Sequence, residues 1–172
     1  MTIDAIKNSI CKWITTDGED AVQIPCNCAA KKGRYFAVGV IHTSQYGSLT
    51  MPPPKAPNES MYRVAQYVAT VTIHEVAGNG DKLRKFRNDF LTEEFRDFVR
   101  ARLNTNDGLD RAFSVWDVND IQDETINDGD FYIQQYVLPF RVQFNDFVGY
   151  NRGPVESVQG QMGCKSFEVT RS

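Results

Sequence analysis

Apolar residues at helical spacing mark two segments of the chain. In the first, four isoleucines recur three or four residues apart with Trp13 beside them: Ile3, Ile6, Ile10 and Ile14. This spacing predicts a short amphipathic helix over residues 3–15, with Thr2 as its N-cap and Asp17-Gly18 ending it. The apolar stripe of this helix needs a partner surface, either the chain's own sheet or a neighbouring subunit.

A longer amphipathic helix is predicted over Asp81–Leu103. Its apolar residues recur at near-helical intervals and are interpreted as one buried face: Leu83, Phe86, Phe90, Leu91, Phe95, Phe98, Val99 and Leu103. Asp81 suits the N-terminal end of a helix, and Arg100 and Arg102 suit the C-terminal end. We expect this helix to supply the main core contact with a sheet.

Alternating apolar and polar residues predict four β-strands: Arg34–Thr43, Arg63–Val76, Ala112–Val118 and Phe131–Val148. The buried face of the second strand is predicted to carry Ala65, Tyr67, Ala69, Val71 and Ile73. The buried face of the last is predicted to carry Tyr132, Tyr136, Leu138, Phe140, Val142 and Phe144. Pro139 falls on the polar face and indicates an edge position or a bulge. A continuous last strand would span about 55 Å, so part of it is expected to project from the domain.

Two segments are predicted to be extended and to lie outside the core. Ser44–Ser60 holds four of the seven prolines and is predicted to be an extended loop. The tail Gly149–Ser172 is rich in glycine and is predicted to be a flexible C-terminal arm. We expect both to be mobile in an isolated subunit and ordered in an assembly. Ser166–Thr170 could add as a strand to a neighbour's sheet edge.

This element order predicts an α+β fold. A mostly antiparallel sheet of long strands is packed by one long amphipathic helix and a short N-terminal helix. Residues 1–148 are expected to form a single domain, with residues 149–172 as the arm. The length of 172 residues and the 41% of hydrophobic residues suit one domain with a real core.

The net charge of −3 argues against a free-standing nucleic-acid binder and against a polybasic membrane-surface protein. No apolar run approaches the roughly 20 residues that a membrane span needs. The N-terminal sequence lacks the continuous apolar stretch of a signal peptide. The four cysteines are therefore expected to be reduced thiols: Cys11, Cys26, Cys28 and Cys164.

The sequence offers little specific chemistry. Cys26 and Cys28 lack the CxxC spacing of zinc and redox motifs, and the two histidines, His42 and His74, lie in no catalytic motif. Gly78-Asn79-Gly80 has Leu83 where a dinucleotide fingerprint needs its third glycine, so it is interpreted as a strand-to-helix turn. A small basic cluster is interpreted as a solvated turn, or as a contact for DNA or an acidic neighbour: Lys31, Lys32 and Arg34. No catalytic, cofactor-binding or metal-binding residue, and no cofactor, is predicted.

Six acids and no base occupy Asp117–Asp130. Ile121 and Gln122 stand where an EF-hand loop needs a ligand and a glycine, so this stretch is not predicted to be a calcium site. It is a candidate inter-subunit salt-bridge surface. The alternative is a solvated turn around Asp128-Gly129.

The segment Tyr62–Asp146 resembles the neck or tail-terminator proteins of tailed bacteriophages, with a fold related to the lambda-type tail terminator. The resemblance lies in the order of YVATVTIHEVAG, the amphipathic DKLRKFRNDFLTEEFRDFVRARL, a strand ending in WDVNDI, an acidic loop, and a strand closing with RVQFND. It covers about half of the chain. The Pro-rich Ser44–Ser60 segment and the Gly-rich tail depart from the pattern and leave the place in the neck open.

The resemblance implies a non-enzymatic structural subunit of a virion, made in the bacterial host cytoplasm. Such a subunit forms a hexameric ring at the neck that terminates the tail tube. In such a ring Asp117–Asp130 is a candidate lining of the lumen, because a channel that passes DNA should repel phosphates. Its expected partners are further copies of itself, the tail-tube protein and the head-tail connector proteins, with DNA passing through the lumen without specific binding and no membrane contact. The alternatives are another phage assembly protein (head-closure, tail-tube or baseplate component) or a small cytosolic enzyme or ligand-binding domain.

Overall fold

The structure is a computed structural model that describes residues 2–25, 33–50, 61–104, 110–129, 131–150, 157–162 and 165–170. It is an α+β fold in which three helices pack on a mostly antiparallel sheet. The helices are α1 (Thr2–Thr16), α2 (Asp81–Asp89) and α3 (Glu93–Leu103). The strands are β1 (Ala21–Gln23), β2 (Tyr35–Thr50), β3 (Met61–Val76), β4 (Phe113–Val118), β5 (Gln122–Asp123), β6 (Ile126–Asp128), β7 (Phe131–Ile133), β8 (Gln135–Tyr150), β9 (Ser157–Met162) and β10 (Lys165–Thr170).

The main sheet has the strand order β1-β2-β3-β8-β4, and β5 pairs with the start of β8. β1 runs parallel to β2, and every other pair is antiparallel. Strands β6 and β7 form a separate hairpin, and so do β9 and β10. None of the described helices is long and apolar enough to cross a membrane.

Three central strands, β2, β3 and β8, are 16 residues long each. Strand β2 continues through Ser44–Thr50, which the sequence analysis assigned to the loop Ser44–Ser60. That part of the prediction is wrong, because pairing with β3 from Ser44↔Val68 to Thr50↔Arg63 satisfies the backbone of a segment whose own composition is polar. Residues 51–60, which contain the prolines, lie outside the described residues.

The predicted helix Asp81–Leu103 is two helices, broken at Phe90–Thr92. An α-helix turns by about 100° per residue, so nine residues rotate the direction of a side chain by about half a turn. Phe86 and Phe95 would therefore face opposite ways on one continuous helix, whereas both are fully buried. The break reorients the second helix so that Phe95 faces the core as Phe86 does. It also leaves Leu91, predicted above to be buried, 53% exposed.

Thr92 begins the second helix. Its hydroxyl accepts a hydrogen bond from the backbone N–H of Phe95 at 3.3 Å and donates one to the carbonyl of Asp89 at 2.7 Å. A threonine N-cap satisfies one of the free N–H groups of the first turn. Glu93 and Glu94 follow in that turn, where the helix dipole favours negative charge.

Aromatic side chains fill the layer between the helices and the sheet. Phe90 stacks on Phe140 of β8 with ring centres 5.1 Å apart and lies 4.6 Å from Phe95. Phe86 meets Phe36 of β2 edge to face at 5.3 Å. Helix α1 is covered by the chain itself, since Ile6, Ile10 and Ile14 are fully buried and Trp13 meets Phe95 and Phe98 edge to face. The first helix therefore takes its partner surface from its own domain.

The last predicted strand, Phe131–Val148, is divided at Gln134 into β7 and β8. Its buried face is confirmed from Leu138 to Phe144, but Tyr132, in the β6–β7 hairpin, is 69% exposed. Pro139 lies between the stretches of β8 that pair with β4 and β5, where its carbonyl accepts from Asn119 N–H at 3.1 Å. The N and O of a strand residue point to the same side, so the proline nitrogen faces this gap and no ladder bond is lost.

The tail contains two strands, β9 and β10, which pair with each other from Lys165↔Met162 to Thr170↔Ser157. Ser166–Thr170 lies in β10, whose partner is β9 of the same chain, and its addition to a neighbour's sheet edge stays a prediction. Within the described ranges the two strands join no other sheet. The expected mobility of the arm stays a prediction.

Replacing Phe90 by Ala should lower the free energy of unfolding by about 3–5 kcal/mol, because a large aromatic at the junction of both helices and the sheet leaves a cavity. The neighbouring Leu91→Ala should change it by less than about 0.5 kcal/mol, because Leu91 is exposed. Urea denaturation of the two variants measures the difference. Equal effects would show that the helix phase is not as described.

Candidate assembly surface

The helices cover one face of the sheet, and among the described residues parts of its two outer edges have no further strand beside them. At the β2 edge, β1 pairs only with Phe36–Val38, and Ile24 N–H then donates to the Val38 carbonyl at 2.8 Å. From Gly39 to Thr50, β2 has no strand on its outer side among the residues described. This stretch contains no Lys, Arg, Asp, Glu or Pro. Proteins normally protect a free edge with such residues, so a long uncharged edge is a template for pairing with another strand.

Three β-bulges interrupt the outer strands of the sheet. They lie between Val40 and His42 and between Gln45 and Gly47 in β2, and between Val115 and Asp117 in β4. The extra residues are Ile41, Tyr46 and Trp116, and all three are large and solvent-exposed. A bulge commonly protects an edge by twisting it or by presenting a charge, but here each bulge presents an apolar or aromatic side chain.

The sequence analysis missed these residues because a period of two does not reveal an inserted position. A weak signal does exist in β2. Phe36, Val38 and Val40 follow the buried alternation, whereas Ile41 is an apolar residue out of phase with it. In β4, Trp116 is likewise out of phase with Phe113 and Val115.

A groove of about 490 Å³ lies on the face of the sheet opposite the helices. Its walls include Ile24, Ile41 and Pro139, with His74 and Glu124 among the polar residues. Gly39 is required there, since an added Cβ would lie 2.8 Å from Ile24 Cγ1. His74 Nδ1 is 3.0 Å from Gln135 Nε2. Burial lowers the pKa of His74, while Glu124 opposes that shift.

The acidic stretch Asp117–Asp130 is not one loop. It contains the end of β4, the two-residue β5 and the β6 strand of a hairpin whose turn is at Gly129. Asp120 is almost fully exposed and lies 3.3 Å from the Arg87 guanidinium, while the Asp123 carboxylate is held by Thr125. The acids are therefore dispersed over several elements. Only Asp128-Gly129, at the tip of the hairpin, corresponds to the predicted turn. The described part of the chain contains no group of three acids, histidines or cysteines that could hold a metal.

The predicted basic cluster is only partly described. Arg34 Nη2 is 2.6 Å from both Glu19 carboxylate oxygens. Lys82 lies 3.2 Å from Glu19 and from Asp17, and Lys85 also contacts Asp17, which lowers the pKa of that carboxyl. The network ties the end of α1 to α2 and β2. Lys31 and Lys32 lie outside the described residues.

The remaining candidates are the cysteines, His42 and the glycine turn before α2. Cys11 is half-buried in α1, and burial raises the pKa of its thiol to about 11, so it stays protonated at neutral pH. Cys26, Cys28 and Cys164 lie outside the described residues. His42 is in β2, in register with Thr70 and apart from His74. Gly78-Asn79-Gly80 is the strand-to-helix turn predicted, with Gly80 in the left-handed conformation before α2.

Glu75 is a buried acid that the sequence analysis did not single out. It continues the buried face of β3, is fully buried, and its carboxylate oxygens make no hydrogen bond of good geometry with described groups. Burial raises the pKa of Glu75, although the nearby N–H groups of Leu83 and Gly80 oppose the shift. Gly78 is required beside it, because a Cβ there would overlap the carboxylate.

No family model and no curated protein matches this sequence. The function therefore has to be inferred from the surfaces just described and from the pattern of elements.

Glu75→Gln should raise the stability of the protein at neutral pH. Burial raises the pKa of Glu75 in the folded protein above the unfolded value of 4.5. The protonated side chain therefore contributes its full stability below pH 4.5, and this contribution is lost as the pH rises through the folded pKa. The glutamine variant does not ionise and should lack this loss. Thermal unfolding of both proteins from pH 4 to pH 8 measures it. A variant that is less stable than wild type at pH 7 would show that the α2 amides stabilise the carboxylate.

Proposed function

We propose that this chain is a structural subunit of a bacteriophage virion. It forms a ring, hexameric by resemblance, at the neck or top of the tail, where it terminates the tail tube and joins it to the head connector. The observation that carries the proposal is the uncharged edge of β2, which no other described strand covers beyond Val38, with its exposed bulge residues. The proposed position in the virion comes from the order of strands and helices, which resembles that of the tail-terminator proteins.

An open sheet edge supports assembly for a physical reason. Each unpaired N–H and C=O on the edge gains a partner when another strand is added, and the side chains beside it add apolar contact. In a protein that acts as a soluble monomer, such an edge gains no pairing partner and promotes aggregation. The exposed side chains Tyr46 and Trp116 strengthen the proposal, because aromatic residues are enriched in the buried centres of protein interfaces, and the exposed Ile41 adds apolar surface.

The dispersed acids also suit a ring through which DNA passes. Asp120 and Asp123 project into solvent at one end of the sheet. In the proposed ring this end faces the lumen or an adjacent subunit, where negative charge repels DNA or pairs with a base. A ring structure that places these acids on its outer wall would contradict this part of the proposal.

Two alternatives have support of their own. The open edge serves equally in another phage assembly component, such as a head-closure, tail-tube or baseplate protein. The groove beside His74 favours a small ligand-binding domain or enzyme, because its volume of about 490 Å³ lies in the range of small-molecule sites. A ligand-binding domain or enzyme predicts a different mass in solution from a neck ring. Another phage component predicts a different shape in electron micrographs.

The mass of the purified full chain tests the proposal. We expect light scattering at rising concentration to give a multiple of the mass of one chain, and negative-stain images to show rings with six-fold symmetry. A monomer at every concentration would contradict a ring subunit and favour the ligand-binding alternative. Stacked tubes or a different symmetry would favour another phage component.

Deleting residues 153–172 should leave cooperative unfolding nearly intact but weaken assembly. The deletion starts beyond β8 and removes strands whose described residues pair only with each other, so the core of the domain is untouched. Thermal unfolding and light scattering of the truncated chain separate the two effects. Loss of the fold without a separate assembly defect would show that the tail belongs to the core.

A further inference from the structure

The turn between β3 and α2, residues 77–80, encloses the side chain of Glu75. This glutamate is fully buried, and neither carboxylate oxygen has a hydrogen bond of good geometry with a described group. Gly78 lies against the carboxyl so closely that one added carbon would overlap it. An ionised carboxylate loses its water in such an enclosure without a matching gain, so the enclosure suits the neutral acid.

The same turn is strained and lacks a side-chain cap. Ala77 has a φ of +56°, a left-handed conformation that is unfavourable for a residue with a Cβ. Gly80, the N-cap of α2, is also left-handed and has no side chain with which to cap the helix. Two backbone hydrogen bonds mark the closed turn: Ala77 N–H donates to the Gln134 carbonyl at 2.8 Å, and Arg84 N–H donates to the Gly80 carbonyl at 3.1 Å.

We propose that Glu75 is a proton-controlled switch of this turn. With a neutral carboxyl, the side chain stays enclosed and residues 77–80 are closed over it. When the carboxyl loses its proton, the side chain leaves the enclosure and the turn opens. The inference does not rest on the proposed ring, since every group in it belongs to one copy of the chain.

The charged groups that face Glu75 are engaged with one another. Glu19 precedes β1 and Arg34 precedes β2, and Arg34 Nη2 is 2.6 Å from both Glu19 carboxylate oxygens. Lys82 of α2 is also 3.2 Å from Glu19. The residues in register with Glu75 on the neighbouring strands are Phe36 of β2 and Tyr136 of β8. An ionised Glu75 would therefore have to compete with Glu19 for its nearest cations.

Burial dominates the behaviour of this carboxyl. It raises the pKa of Glu75, while the N–H groups of Leu83 and Gly80 and the Arg34 guanidinium oppose the rise and Glu19 adds to it. The closed turn is thus most stable with the proton bound. Above the folded pKa, one proton is released on opening, so the ratio of open to closed turn rises about tenfold per pH unit.

The rest of α2 is held independently of Glu75. Lys82 and Lys85 both contact Asp17, next to the end of α1. Phe86 is fully buried and meets Phe36 of β2 edge to face. These contacts do not involve the turn, so we expect the opening to stop at the first turn of the helix.

Amide hydrogen exchange of the full chain between pH 5 and pH 9 tests the switch. The measured quantity is the protection factor, in which the intrinsic rise of exchange with pH cancels. For the N–H groups of Ala77 and Arg84, it should fall about tenfold per pH unit once the carboxyl ionises. The N–H of Phe90, which donates to the Phe86 carbonyl at the other end of α2, should keep its protection.

Glu75→Gln is the decisive variant, because it keeps the shape of the side chain and cannot ionise. In it, the N–H groups of Ala77 and Arg84 should keep their protection over the whole range. Glu19→Gln is the matched control, since it removes a neighbouring acid whose side chain is only 11% exposed and which pairs with Arg34. The fall in protection should remain in this control.

Three results would overturn the inference. Constant protection at Ala77 and Arg84 in wild type would show that the turn does not respond to pH. An equal fall in Glu75→Gln would assign the response to another group, and an equal fall at Phe90 would show unfolding of the whole domain. The carboxyl ¹³C shift of Glu75 in wild type gives a check without any variant: ionisation with no loss of protection would also overturn the inference.

Discussion

The packing of Phe90 against β8 fixes the relation between the helices and the sheet. Its ring stacks on Phe140 and lies against Phe95, so one side chain contacts the end of α2, the next helix and a central strand. The break after Phe90 exists because both Phe86 and Phe95 must reach the same sheet face, and Thr92 makes the break stable by capping α3. Helix α1 then closes the layer through Trp13 and three buried isoleucines.

This packing has a consequence for the rest of the sheet. The helices satisfy one face, and the ion pairs of Asp17 and Glu19 with Lys82, Lys85 and Arg34 hold α1, α2 and β2 together. Among the described residues, no strand lies on the outer side of β2 beyond Val38 or on the outer side of β4, where the Arg100 guanidinium donates to the Phe113 carbonyl at 3.1 Å. We propose that the β2 edge makes the contacts between copies, since its exposed bulge residues Ile41 and Tyr46 are an apolar and an aromatic side chain. In the proposed assembly, the stability of the subunit and the association of subunits therefore depend on different parts of the molecule.

Local periodicity predicted the elements whose side chains alternate between core and solvent. The isoleucine spacing located α1, and the alternation in β3 identified its buried face, because burial repeats with the period of the backbone. The open edges and the bulges depend on which strands pair and on where one residue is inserted, and neither is encoded by periodicity. The strand character of Ser44–Thr50 was hidden for the same reason: its partner is β3, and its own residues are mostly polar, with only Tyr46 and Leu49 among them as large hydrophobic residues.

Glu75 illustrates a different limit. The alternation of β3 extended by one step places it on the buried face, but its charge favours solvent, and only the turn at Gly78–Gly80 shows how a carboxyl is enclosed there. The two helices were predicted as one because the apolar intervals were counted without following their rotation. The direction of the side chains around a helix axis depends on every residue of the segment, and a break of three residues is enough to reset it.

Hydrogen exchange along β2 tests most directly whether the open edge is an assembly surface. In an antiparallel edge strand, alternate N–H groups point toward β3 and away from it, so the outward N–H groups between Val40 and Thr50 exchange quickly in a lone subunit. Slow exchange of these outward groups at high protein concentration, and fast exchange on dilution, is the predicted result. Fast exchange at every concentration, in a sample that is nevertheless assembled, would contradict the assignment of the β2 edge as the surface that joins the copies.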